Sequence, residues 1–476
     1  MKKYIVLIIC TCFFPISTCA KNEPKHIIDI KPFENCYGIY ISGQKIGYSC
    51  ERLDIDLKEK KVYNLSTETK MQFAAFGVPI ETEIQSRALI DNELNPLENE
   101  FIMSGATGQT RTVGKKHSAV WQVSRYAGDE KISERSYPYK DIKLSEAIDI
   151  ELMSIPLSVG YEKELFVFNS EIGDTTTMKI KVLEEKVLNW LDKKTQCFRV
   201  ENSSLGVTIM SWVTKDGVMI ESTAAMGIRM VLEAKSIALD MTPKEEPLDI
   251  IQWTSIPFDE DLDEVDKLNS YTFLIDGINP DVFALSGTNR TVKIISDTSF
   301  VLTVEKTCIP DSVNPGLDEK NLASTPDIQS DAVDIRDIVL SRVKDSDPAL
   351  KKIDVLMEWM QGNINKKITF SIPSALEVLK IKQGDCGEFS VLFAALLRAA
   401  GIPTKVVAGV VYFNKTFFYH AWNEVLLDGI WYPVDSSMNQ INPDVTHIKL
   451  IEGETSNQLK IADVVRKIKI KKYNPN

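Results

Sequence analysis

From residue 33 to about residue 240 the chain is written in short alternating runs, with little helical periodicity between them. Glu81-Thr82-Glu83-Ile84, Thr177-Met178-Lys179-Ile180-Lys181-Val182 and Thr208-Ile209-Met210-Ser211-Trp212-Val213 have strand character. They set side chains alternately on two faces, as a strand with one face buried requires. Asp216-Gly217, between Ser211-Trp212-Val213-Thr214 and Val218-Met219-Ile220-Glu221, has the turn chemistry of a hairpin. Ser145 to Ser154 reads as one short helix, with Pro156 as its stop. The pattern predicts an antiparallel, strongly twisted sheet domain over residues 21–242. No grouping of side chains in it carries chemistry, and His117 in Lys115-Lys116-His117 reads as a solvated edge.

At the start of this region Tyr37-Gly38-Ile39-Tyr40-Ile41 and Lys45-Ile46-Gly47-Tyr48 flank Ser42-Gly43-Gln44. A three-residue loop there sets Cys36 opposite Cys50, giving either a cross-strand disulfide or two half-buried thiols. Ahead of it, residues 1–20 read as a leader: Lys2 and Lys3, the apolar stretch Tyr4 to Ser17, then Ser17-Thr18-Cys19-Ala20. Cleavage after Ala20 would start the mature chain near Lys21. Ile16-Ser17-Thr18-Cys19 also resembles a bacterial lipobox, although Thr18 is unusual before its cysteine; that route leaves Cys19 lipid-modified and attached to a membrane. Both routes export the protein to the periplasm or cell envelope of a bacterium, the second as an outer-membrane lipoprotein.

Cys10, Cys12 and Cys19 fall in the leader, which leaves Cys36, Cys50, Cys197, Cys308 and Cys386. In an oxidising compartment that odd number predicts pairs plus one free thiol. With four histidines (His26, His117, His420, His447) and no CxxC pair, no metal site and no cofactor is expected. A formal net charge of -12 argues against a nucleic-acid partner. The apolar stretch Val391 to Phe413 is broken by Arg398, Pro403 and Lys405, which marks it as core rather than a membrane span.

The composition shifts around residues 243–270, where Pro243, Pro247 and Pro257 punctuate the chain and Asp259-Glu260-Asp261-Leu262-Asp263-Glu264 is acidic; this reads as a linker. Residues 271–324 return to strand signals, among them Thr291-Val292-Lys293-Ile294-Ile295 and Phe300-Val301-Leu302-Thr303-Val304, and predict a small β unit. A final domain spans 325–476, where Ile335, Ile338, Val339 and Val343, then Ile353, Leu356, Met357 and Met360, recur at helical spacing.

The chemistry lies in this last part. Ser374 to Leu379 is a short helix, and the next runs from about Cys386 to Ala400, closed by Gly401 and Pro403. Cys386 thus falls in a first helical turn, where the dipole and unpaired N–H groups favour a thiolate and could serve an oxyanion. Val406 to Val411 and Phe418 to Leu426 read as strands, and Asp428-Gly429 as a two-residue turn into Ile430-Trp431-Tyr432-Pro433-Val434-Asp435. That turn sets a register in which His420 faces Ser437 and Asp435 faces Trp422. His420 and Asp435 are then diagonal neighbours on one sheet face. A carboxylate on one ring nitrogen fixes the tautomer and leaves the other nitrogen for a thiol.

Gly384-Asp385-Cys386-Gly387-Glu388, Ala394-Ala395-Leu396-Leu397-Arg398-Ala399-Ala400-Gly401-Ile402-Pro403, His420-Ala421-Trp422-Asn423-Glu424-Val425 and Trp431-Tyr432-Pro433-Val434-Asp435 together resemble the transglutaminase-like (transglutaminase core) superfamily, in particular its bacterial exported members. The resemblance covers residues 325–450. It implies an α+β fold with a papain-like C-terminal domain, preceded here by the mainly antiparallel β part. Cys386 would be the nucleophile, His420 the base and Asp435 the residue that orients the base. Ser436-Ser437 stands where many members have Pro-Thr, and Trp359, the local tryptophan, reads as core rather than as the tryptophan that eukaryotic members place near the oxyanion.

The expected activity is acyl transfer on peptide or side-chain amides of a protein or peptide substrate, through a thioester. Water as acceptor gives a protease or amidase; a lysine amine gives a transglutaminase. The competing expectation is a non-catalytic cell-envelope interaction protein with a residual triad.

Overall fold

The computed structural model describes residues 30–56, 62–106, 108–155, 157–190, 193–242, 246–262, 264–368, 374–453 and 458–474. The expected leader, with Cys19, and the expected helix stop Pro156 lie outside the described residues. The chain forms two compact units that meet in sequence between Ile250 and Ile251. Among the described residues no helix is long and apolar enough to cross a membrane.

In the N-terminal unit fifteen strands among the described residues join one sheet. Its first strand, Phe33–Ile41, lies in the middle and pairs antiparallel with both its successor and the last strand, Ile228–Glu233. The turn Ser42-Gly43 has φ of 50° and 84°, the left-handed pair that lets two strands keep their twist across a two-residue loop. The loop is thus one residue shorter than the sequence predicts. A bulge between Ile39 and Tyr40 restores the expected register, and Cys36 stands opposite Cys50 in a disulfide.

Cys197 is buried and Cys308 exposed, and both are unpaired along with Cys386, so the expected pattern of pairs plus one free thiol is replaced by one pair and three thiols. The expected helix 145–154 is a 3-10 turn, Ser145–Ala147, running into an α-helix, Ile148–Met153. Its Ile150 packs with Leu53, Leu65, Trp121 and Phe168 in a buried cluster.

Glu51 and Asp149 are both buried near one another. Burial raises the carboxyl of Asp149 to about 7, and burial together with the Asp149 charge raises Glu51 well above its ordinary value. A carboxyl that binds its proton more tightly when folded stabilises the fold at low pH, and loses that contribution as pH rises through the folded value. The melting temperature of the wild-type chain should therefore fall between about pH 5 and pH 8 more steeply than that of Asp149→Asn, measured by circular dichroism. Parallel curves would refute the assignment.

The C-terminal unit begins where a linker is expected. Ile250–Thr254 is a short helix, and Ile256 pairs with Phe417. Phe258 inserts among Tyr271, Phe273, Tyr412 and Phe417 at centroid distances of 5.3–6.5 Å. The prolines and acids dominate this stretch in sequence, but its apolar residues decide its placement. Strands Ser270–Asp276, Arg290–Ser296 and Ser299–Glu305, read as a small unit, share a sheet with Lys469–Lys472 near the far end of the chain. Pairing over such a separation leaves no local trace.

A second sheet runs in the order Ile256–Pro257, Thr416–Leu427, Thr404–Phe413, Ile448–Glu452, with Ile430–Val434 also paired to Thr416–Leu427. Against it packs the helix Cys386–Ala399, in which every residue from Glu388 to Arg398 is buried. Phe389, Leu392, Phe393 and Leu396 of this helix join Leu356 and Met360 of helix Ala349–Asn363, Val378 of helix Ala375–Ile381, and Val406 and Val425 of the sheet. A helix apolar on all sides belongs at the centre of its domain, and this one does.

Candidate active site

The run Gly384-Asp385-Cys386-Gly387-Glu388 is a device for starting a helix. Asp385 is the N-cap, and its Oδ1 accepts from the N–H of Gly387 at 3.1 Å. Glu388 reaches back, its Oε2 accepting from the N–H of Asp385 at 3.0 Å, which completes a capping box. Gly384 makes room for that return: a Cβ there would stand 2.1 Å from Cβ of Glu388. Three of the five residues, Gly384, Asp385 and Glu388, are thereby explained by local structure. Cys386 is left half-buried as the first residue of the helix, its carbonyl accepting from Ser390 Oγ at 2.6 Å.

His420 sits in the strand Thr416–Leu427, pinned beside the helix by Asn423, whose side chain donates to the carbonyls of Ser390 (2.9 Å) and Lys405 (3.3 Å). The turn Asp428-Gly429, with φ of 46° and 80°, sets the register from Leu427↔Ile430 to Asn423↔Val434. The ladder stops there. Asp435 leaves the expected pairing with Trp422 and closes a loop by a two-way main-chain pairing with Gln440. Its carboxylate still meets the histidine, with His420 Nε2 to Asp435 Oδ2 at 2.6 Å.

The aspartate has no exposure to solvent. Its Oδ1 accepts from the N–H and hydroxyl of Ser437, both at 2.8 Å, and from the N–H of Met438 at 2.9 Å. Ser437 therefore touches the triad and not only its loop. Gln361 donates to the carbonyl of Ser436, tying helix Ala349–Asn363 to the same loop. Trp359 is partly buried and packs against the helical core, as its spacing predicts.

Burial alone would lower the His420 imidazolium, but the charges of Asp435 and of Cys386, with hydrogen bonds to both, push it up to about 10. Burial alone would raise Asp435, yet His420 and then His447 hold it well below the usual carboxylate range. With Nε2 on Asp435, Nδ1 is the nitrogen left for the thiol. The structure thus sets His420 between the Asp435 carboxylate and the Cys386 thiol, the three residues that the sequence singles out.

A fourth residue went unassigned in the sequence. His447 Nε2 lies 3.3 Å from the same Asp435 Oδ2, and the ligand-type atoms of His420, Asp435 and His447 all fall within 4.8 Å of one another. Hydrogen bonding to one carboxylate accounts for that convergence. Nothing in the local sequence around His447 signals it.

Comparison with known proteins places this geometry. Residues 338–436, which contain Cys386, His420 and Asp435, match the family model of the transglutaminase-like superfamily. No curated protein matches the chain. Among solved structures, a putative cysteine protease from Cytophaga hutchinsonii is 17% identical, covering 42% of this chain and 83% of its own, with a TM-score of 0.31. The periplasmic domain of TgpA from Pseudomonas aeruginosa is 18% identical over 37% of this chain and 74% of its own, with a TM-score of 0.24. A β-barrel-like protein of a domain of unknown function from Brucella abortus is 13% identical over 44% of this chain and 96% of its own, with a TM-score of 0.33. The family resemblance read from the motifs is borne out over the matched segment: the C-terminal unit of this chain carries a domain of the transglutaminase-like superfamily.

Proposed function

We propose that the chain is an exported, cysteine-dependent acyl-transfer enzyme acting on amides of a protein or peptide. The observation that carries this reading is the His420–Asp435 pair at 2.6 Å, its carboxylate out of solvent, with the Cys386 charge acting on the same imidazole. The Cys386 thiolate attacks an amide carbonyl carbon, and the C–N bond of the tetrahedral adduct breaks as His420 gives its proton to the departing amine. That leaves a thioester on Cys386. Water, or a lysine amine, then attacks the thioester, passes a proton to His420, and the C–S bond breaks to restore the thiolate. Water as acceptor makes the protein a protease or amidase, and an amine makes it a transglutaminase. Export is supported by the apolar leader and by the Cys36–Cys50 disulfide, a bond that persists in oxidising compartments.

Alkylation of Cys386 by iodoacetamide at pH 7, followed by peptide mass analysis, tests the reading. Labelling should be fast in the wild type and roughly tenfold or more slower in His420→Ala. Equal, slow labelling of both would favour the rival, a non-catalytic envelope protein with a residual triad.

A further inference from the structure

The aspartate of the site holds two imidazoles on one oxygen. His420 Nε2 and His447 Nε2 approach Asp435 Oδ2 at 2.6 and 3.3 Å, while Oδ1 is occupied by Ser437 and Met438. His447 cannot touch a substrate, since it is 2% exposed and lies edge-on to Trp422, with ring centroids 5.3 Å apart. Its own placement is fixed from the chain. Asp444 accepts from the N–H and hydroxyl of Thr446 at 2.8 and 2.5 Å, its carbonyl accepts from the N–H of His447 at 3.3 Å, and Val445 and Thr446 are fully buried.

The second ring nitrogen of His447 has no hydrogen-bond partner among the described residues, but Asp444 Oδ1 stands 3.7 Å from it. That is too long for a hydrogen bond and short enough for charge to matter. A lone pair on this nitrogen would face a carboxylate, whereas a proton there is attracted by it. The groups facing the ring are therefore Asp435 at one nitrogen, Asp444 near the other, and His420 at a centroid distance of 6.0 Å. The nearby Lys449 is already closed by Glu424 at 2.8 Å.

We infer that His447 is a positioning residue for the Cys386–His420 pair: as a cation between Asp444 and Asp435, it fixes the Asp435 carboxylate by a hydrogen bond and keeps it ionised. This rests on the reading of Cys386 as an activated thiol. Loss of His447 takes away one of the two ring donors on Oδ2, makes the carboxylate easier to protonate, and removes a positive charge that favours the thiolate. All three effects weaken the pair in the same direction, most strongly at low pH.

The test is the pH profile of Cys386 alkylation by iodoacetamide in the full chain. His447→Phe, which keeps a ring against Trp422, should alkylate roughly tenfold more slowly at pH 7, with its acidic limb moved to higher pH. His447→Gln, which restores a donor at the same reach without the charge, should recover most of the rate at pH 7. A His447→Phe profile that matches the wild type, or one that only loses amplitude with its limb unmoved, overturns the inference. If circular dichroism shows that His447→Phe does not fold, Asp444→Asn carries the test. It keeps the acceptor for Thr446 and removes the charge facing His447, so its limb should move in the same direction; an unmoved limb overturns the inference. Wild-type alkylation that does not depend on His420 sinks the enzyme reading itself, and this inference with it. Dependence on His420 with no effect of His447 sinks the inference alone.

Discussion

Asp435→Asn should cut acyl-transfer turnover by on the order of 10^4-fold, the scale seen when a triad loses the group that fixes its histidine tautomer. Here the loss has a second origin. Asp435 is the chief charge that lifts the imidazolium of His420 to about 10 against the opposing effect of burial. Without it, burial pushes His420 down, and the charged form survives only at lower pH. The imidazolium contributes stability below its unfolded value near 6.5 and loses it only as pH rises through about 10. Wild-type alkylation of Cys386 should therefore hold its plateau well into alkaline pH. In Asp435→Asn the rate at pH 7 should fall by roughly tenfold or more. Turnover can be followed as ammonia release from glutamine side chains or new amino termini from cut peptides, and the plateau by timed iodoacetamide labelling. A variant with the wild-type plateau would mean that Asp435 is a structural loop former and nothing more.

The largest expected loss of stability lies two strand positions beyond Trp422. Glu424 is 2% exposed, and its oxygens meet Arg290 Nη1 at 3.1 Å and Lys449 Nζ at 2.8 Å, with all three side chains nearly out of solvent. This triad joins the strand Arg290–Ser296 of one sheet to two strands of the sheet that carries His420. Removing one member of a buried pair leaves an uncompensated charge, which costs about 3–5 kcal/mol. Glu424→Ala strands Arg290 and leaves Lys449 only the half-exposed Glu452 at 3.4 Å, and the melting temperature of the C-terminal unit should drop by about 10 °C. A triple change, Arg290→Met with Glu424→Leu and Lys449→Met, should recover most of the loss, because a packed apolar trio replaces the charges. Differential scanning calorimetry decides it. A small drop in Glu424→Ala would mean that water reaches the cations.

Chemistry and scaffolding share the two motifs around His420 and Cys386. In His420-Ala421-Trp422-Asn423-Glu424-Val425 the histidine is chemical, Asn423 ties the strand to the helix through Ser390, and Glu424 ties one sheet to the other. In Gly384-Asp385-Cys386-Gly387-Glu388 the cysteine is chemical and its neighbours build the cap. The chemistry occupies few positions, and its scaffolding fills the rest.

Local rules determined much of this protein. The capping box, the Asp428-Gly429 turn and the Cys36–Cys50 register are short-range, because each depends on backbone geometry within a few residues. The helix start at Cys386 and the Asp428-Gly429 turn, together with the family resemblance, brought Cys386, His420 and Asp435 into one expectation. Tertiary structure decided the rest. Asp435 leaves the ladder because a loop closed by Gln440 turns its carboxylate back to His420. His447 arrives twelve positions later, by way of buried Val445 and Thr446, onto an oxygen already in use. Phe258 is drawn from a proline-rich acidic stretch into an aromatic cluster, and Arg290 crosses between sheets to reach Glu424. Such contacts join residues far apart in the chain, where burial of apolar area and the cost of an unpaired buried charge set the outcome. Neither quantity is defined until the whole unit has folded.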